Sequence, residues 1–227
     1  MDKLEECAKT FERLTNIEYR IVVGRKGVTC NINLKFEPAE FHHLLGLHKL
    51  KDNMINKERR TKVFEKILRG KITYEKLKQS SYFLDIANRI KPLAELEKLL
   101  DKNDIIFKYN NKVNSFSRIQ ADFLLCSKYI DNDIYIFISE RGNTDDYYCR
   151  SFFPKENIDF SRGQAKYTLL YKEKINLLTN EIEIQYDRLN RQNLKLDEKY
   201  SNNKEEMFSQ NDLANEFEIE ETMNFDM

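Results

Sequence analysis

The hydrophobic pattern of this 227-residue chain changes period twice, from alternation to helical spacing and back, and that double switch restricts the fold more than any other feature. Ile17 to Val23 reads as a strand, and Val28 to Phe36 alternates through Val28, Cys30, Ile32, Leu34 and Phe36. Between them, Gly24-Arg25-Lys26-Gly27 supplies the glycines of a tight turn, which predicts a β-hairpin. Ahead of it, Leu4, Cys7, Ala8, Phe11 and Leu14 fall at helical spacing. Pro38 suits the first turn of a helix carrying Phe41, His42, His43 and Leu44, which Gly46 ends or bends. Residues 54–101 are helical in pattern throughout, with Pro92 expected to bend or split the last segment because it removes a backbone donor. From Asp104 the pattern is β again, over Ile105 to Tyr109, Arg118 to Cys126, Ile134 to Ser139, Tyr147 to Phe153, and a hairpin of Tyr167 to Ile175 with Glu181 to Tyr186. Strands on both sides of a helical block predict an α+β fold: an N-terminal helix and β-hairpin, a central helical block, and a C-terminal, mostly antiparallel sheet.

Charge divides the chain. The formal net charge is zero, yet from Asn190 onward four Lys/Arg stand against ten Asp/Glu, which leaves the first 189 residues at +6 and the tail at −6. Residues 1–189 are therefore expected to form one domain, with 54–101 a helical block inside it. Residues 190–227, poor in apolar periodicity, are expected to be a disordered acidic tail. A basic body suits a polyanionic partner. No run approaches the roughly 18 to 20 apolar residues of a membrane span, and the polar, acidic start does not resemble a leader, so no membrane contact and a cytoplasmic location are expected. The cysteines Cys7, Cys30, Cys126 and Cys149 are far apart, without a C-x-x-C pair. They are expected to be reduced and mostly buried.

All three histidines, His42, His43 and His48, fall within seven positions, which concentrates the near-neutral proton-transfer capacity of the chain in one segment. Their spacings of five and six do not match the three or four that places two metal ligands on one helical face, so no metal and no cofactor is expected. Neither a G-x-x-x-x-G-K-[ST] loop nor a G-x-G-x-x-G occurs. Cleavage of RNA without a metal needs a base for the 2′-hydroxyl, an acid for the departing 5′-oxygen and fixed cations for the charge on phosphorus. The β half offers Arg118, Arg150 followed by Ser151, Lys166, and Lys172 after Tyr171, along with aromatic side chains on which single-stranded RNA stacks. Each has a plainer reading: His43 as a hydrogen-bonded core histidine, His42 facing solvent, and the cations as ordinary surface charges.

Taken in order, four segments resemble one family: Phe41-His42-His43-Leu44-Leu45-Gly46-Leu47-His48-Lys49-Leu50, Gly70-Lys71-Ile72-Thr73-Tyr74, Arg150-Ser151-Phe152-Phe153-Pro154 and Tyr167-Thr168-Leu169-Leu170-Tyr171-Lys172. The resemblance, over about residues 5 to 187, is to the fourth phage-type family of the barnase, EndoU, colicin and RelE nuclease superfamily. Its distinctive Phe-x-His-Leu-x-Gly-Leu element is matched by Phe41, His43, Leu44, Gly46 and Leu47. The resemblance implies a twisted antiparallel sheet behind a helical segment. It also implies a metal-independent endoribonuclease of the kind found in phages, mobile elements and toxins, with RNA as substrate and an immunity or antitoxin protein as a further partner. On this reading His43 and His48 carry protons, Arg150 and Lys172 stabilise charge, and Ser151, Tyr171, Arg118 and Lys166 hold substrate. The alternative is an inactive nuclease-like fold that binds RNA or a protein.

Overall fold

The structure is a computed structural model that describes residues 2–102, 105–114, 117–142, 144–188 and 190. The chain divides into two units, Met1–Tyr186 and Asp187–Met227. Nearly all of the second, and with it the expected acidic tail, lies outside the described residues.

Helix α1 (Lys3–Leu14) starts on Asp2, whose carboxylate accepts from the amides of Leu4 and Glu5, a common N-cap. The same carboxylate accepts from the amide of Tyr74. Strands β1 (Ile17–Arg25) and β2 (Val28–Leu34) pair antiparallel, with Arg25 opposite Val28. Lys26 and Gly27 between them both have positive φ, 52° and 80°, the backbone that matches the twist of a two-residue hairpin. There follow α2 (Pro38–Leu45), two 3₁₀ turns (Leu47–Lys49 and Met54–Asn56), α3 (Arg60–Leu68), α4 (Tyr74–Lys78), α5 (Leu84–Ala94) and α6 (Leu96–Asp101). Pro92 sits inside α5, and the expected division falls just after it, at Glu95.

Six further strands are described: β3 (Ile105–Lys108), β4 (Phe123–Tyr129), β5 (Asn132–Glu140), β6 (Asp146–Pro154), β7 (Ala165–Asn176) and β8 (Ile182–Asp187). The fold is α+β as expected, but the open, twisted antiparallel sheet is corrected. Strand order is β1-β2-β6-β5-β4-β3-β7-β8, and β1 also pairs with β7, so seven strands close into a barrel. The closure comes from the length of β7: residues 165–167 pair with β3 and residues 168–176 with β1. One pairing, β2 with β6, is parallel. Side-chain alternation shows which face a residue takes but not which strand lies beside it, so the sequence pattern carries no sign of closure. The expected strand over Arg118 to Cys126 begins only at Phe123.

The main core runs from α1 through α2, α3, α5 and α6 to Ile134, Ile136 and Ile138 of β5. Phe11, fully buried, sets its edge against Phe36, Phe41 and Phe64 at 5.5–6.0 Å. A second, smaller core holds Tyr109, Leu124, Tyr135 and Phe137, with Phe153 and Phe160 against it. Strand β5 is thus covered on both faces, which explains an unbroken apolar run where a half-exposed strand would alternate. Among the described residues no helix is long and apolar enough to cross a membrane.

Replacing Phe11 with Ala leaves a cavity at the meeting point of three rings. The expected loss is about 3–5 kcal/mol of unfolding free energy, seen as a lower denaturant midpoint with an unchanged slope.

Candidate active site

The segment from Phe41 to His48 is shaped by three constraints. Phe41 and Leu44 fix the buried side of α2, both fully buried, with the Phe41 ring 5.0 Å from Phe64. The start of α2 is a reciprocal cap in which the Glu37 side chain accepts from the Glu40 amide and the Glu40 side chain from the Glu37 amide, with Pro38 in the first turn. The end is Gly46, at φ 85°, whose amide donates to the carbonyls of His42 and His43. A Cβ on Gly46 would stand 3.1 Å from Ile86 Cγ2 and 3.6 Å from Arg89 Cδ. Glycine is therefore required twice, for the left-handed backbone and for the approach of α5. The 3₁₀ turn then folds His48 back over His43, and their rings stack with centroids 4.7 Å apart and planes at 16°.

His42, expected at the surface, is instead the core histidine. It is 3% exposed, and Nε2 lies 3.3 Å from the Ile55 carbonyl. His43 is half-buried and His48 exposed at its rim. Lost solvation, followed by the charges of Arg60, Arg150, Arg89 and His42, lowers the His43 pKa. Lost solvation, followed by His43, His42, Arg89 and Lys49, pulls His48 down to about 4. Both rings are accordingly neutral at pH 7, which is the form that accepts a proton.

Arg150 reaches this group through a bulge. Phe137 pairs with Ser151 and Ile138 with Cys149, so Arg150 is the extra residue of β6, and a bulge re-aims a side chain. Its Nη1 donates to the Tyr148 hydroxyl at 2.7 Å. Arg141 lies over the Tyr148 ring at 4.9 Å and bridges to Glu37 and Glu40. Burial raises the Glu40 carboxyl to about 7 against the pull of Arg141. Glu40, Arg141 and Tyr148 thus form a chain that positions Arg150. On the other side, Arg89 Nη1 donates to the Leu44 carbonyl at 3.4 Å, while its Nε is buried without a partner. Among the described residues Arg60, Arg89 and Arg150 form no ion pair with any carboxylate.

The structure stacks His43 on His48 and brings Arg150 within electrostatic range of His43, with Ser151 next to Arg150 and half-buried. It places the other expected residues elsewhere. Lys172 is 3% exposed, and its ammonium donates to the carbonyls of Leu100 and Lys102. Those groups end α6, where a cation is favoured by the unpaired carbonyls and the helix dipole. The expectation that Lys172 faces phosphate beside His43 is corrected on that ground. Tyr171 donates to Glu173 at 2.6 Å within β7, Arg118 is exposed before β4, and Lys166 is exposed on β7 across from Phe107. Reading the sequence missed Arg89 and Arg60, since a helical arginine beside buried positions looks like any other. It also missed that a left-handed break at Gly46 brings together two histidines five positions apart. Among the described residues no three His, Cys, Asp or Glu side chains gather as a metal-binding group.

Residues 3–189 match the model of a family described as phage-Barnase-EndoU-ColicinE5/D-RelE like nuclease4. No curated protein and no solved structure matches the chain significantly.

Two measurements check this geometry. Gly46→Ala is expected to cost about 1–2 kcal/mol from the left-handed backbone alone, with further loss from the Ile86 contact, in chemical denaturation. In an NMR titration, the His48 ring is expected to gain its proton near pH 4 rather than at its ordinary 6.5. Folding then favours the neutral ring, so the stability it contributes is present above pH 6.5 and is lost as pH falls towards 4.

Proposed function

We propose that this chain, which belongs to the fourth phage-type barnase, EndoU, colicin E5/D and RelE-like nuclease family, is an endoribonuclease that needs no metal. One observation carries the reading: His43, stacked on His48, lies in the field of Arg60, Arg150 and Arg89, none of which forms an ion pair with a carboxylate among the described residues. Arg89 is half-buried with its Nε lacking a partner, and holding a guanidinium partly out of water in that way is costly. A phosphodiester supplies the missing anion, in the planar, forked geometry that arginine matches.

In the proposed reaction His43, held deeper in the fold, takes the proton of the ribose 2′-hydroxyl. The 2′-oxygen attacks phosphorus, the bond from phosphorus to the 5′-oxygen breaks, and a protonated imidazole, His48, returns a proton to that oxygen. The products are a 2′,3′-cyclic phosphate and a free 5′-hydroxyl. Rings 4.7 Å apart resist carrying two charges at once, so the pair holds a single proton, as an acid and a base acting together require. A bound phosphate offsets the surrounding guanidiniums and thereby raises the affinity of the pair for that proton. Arg150 and Arg89 stabilise the charge that develops on the non-bridging oxygens, and Ser151 offers a hydroxyl to the same phosphate. Lys172 has no part in this version of the site.

The test is incubation of labelled RNA with excess chelator, followed by analysis of the ends. The parent is expected to yield cyclic-phosphate termini, His43→Ala to lose cleavage while keeping its fold, and Arg150→Ala to fall by about 10²–10³-fold. Activity abolished by the chelator, or a folded His43→Ala protein as fast as the parent, overturns the assignment. RNA binding without cleavage by the parent favours the inactive, binding form of the fold.

A further inference from the structure

Lys49, which follows His48 in the chain, lines a cavity of about 290 Å³ together with Arg89. That is the small end of the roughly 300–1,000 Å³ usual for small-molecule sites, and it suits one planar group. The aromatic wall comes from the second core. Phe153 stacks on Phe137 at 5.6 Å and 25° and meets Phe160 at 5.5 Å and 72°. The Arg89 guanidinium stands 5.5 Å from the Phe153 centroid. The same Arg89 donates to the Leu44 carbonyl and lies beside Gly46, so it joins the cavity to the end of α2 that carries the histidines. The rim carries Asn88, Asn157, Asp85 and Glu156, and Asn88 Nδ2 donates to Glu156 at 2.8 Å.

We infer that this cavity is a nucleobase subsite, holding one of the two bases that flank the scissile phosphate. The inference rests on the RNA-cleavage reading and specifies its substrate. The Arg89 guanidinium, backed by the Phe153 ring, is a plane of the kind on which proteins stack an unstacked base. Phosphate suits the cavity less well than a neutral base, because Asp85 and Glu156 already offset the charges of Lys49 and Arg89 there. Position agrees as well: Phe153 lies three residues from Arg150 on β6, about 10 Å at a strand rise of about 3.3 Å per residue, within the span of one nucleotide. The rim sets a preference. Carboxylates only accept hydrogen bonds, so a base whose edge carries an exocyclic amine fits better than uracil.

The test is a binding titration with two-nucleotide ligands whose 5′ residue lacks the 2′-hydroxyl and so cannot be cleaved, each base being removed in turn. Removing one of the two bases is expected to weaken binding by about tenfold or more, the scale of a stacked base, and removing the other to matter little. Phe153→Leu is expected to bring the base-bearing ligand down to the abasic level. Glu156→Gln, an exposed position that spares the core, is expected to reduce the preference for amine-bearing bases over uracil. Equal affinity of the parent for base-bearing and abasic ligands overturns the subsite, even if RNA is cleaved. Base-dependent affinity unchanged in both variants also overturns it, since the base then sits elsewhere. Base-dependent binding that both variants weaken, with no cleavage of any RNA by the parent, sustains the subsite and sinks the catalytic reading instead.

Discussion

The close approach of α5 to the end of α2, made possible by the absence of a side chain at Gly46, is the contact on which the site depends. A Cβ there would press on Ile86 and touch the Arg89 stem. Without one, Arg89 reaches the carbonyl of Leu44 and the chain reverses so that His48 returns over His43. The Phe-x-His-Leu-x-Gly-Leu pattern can be read physically from this point. Phe41, Leu44 and Leu47 are fully buried, Gly46 supplies the reversal, and His43 is the position left facing the guanidiniums. A motif of seven residues thus encodes an anchor, a turn and a half-buried imidazole.

The element types were legible in the sequence because they follow from local periodicity. Helix α1 begins and ends where Leu4 and Leu14 place it, and the Lys26-Gly27 turn is announced by its glycines. Sheet closure was not legible, since β7 joins β3 and β1 through backbone groups that every residue possesses. The histidines were conspicuous by composition, but which of the adjacent pair turns inward depends on Ile55 accepting from His42, a contact thirteen positions away. Lys172 misled for a related reason. A lysine on a strand reads as a surface cation, and only the tertiary fold brings the open carbonyls of α6 to it.

The two cores divide the work between them. The larger joins the helices to one face of β5 and fixes where α2 and α5 stand. The smaller lies on the opposite face, and its outermost rings, Phe153 and Phe160, line an open cavity. One strand, buried on both sides, therefore links the rigid packing of the helices to an accessible aromatic surface. Neither face alone would place imidazole, guanidinium and aromatic rings side by side.

The irregularity at Arg150 has an evolutionary consequence. A residue inserted into a ladder has no counterpart across from it on β5, so its identity is released from the pairing preferences that constrain its neighbours. Selection can vary that position while the hydrogen-bonding of the sheet on either side is inherited unchanged.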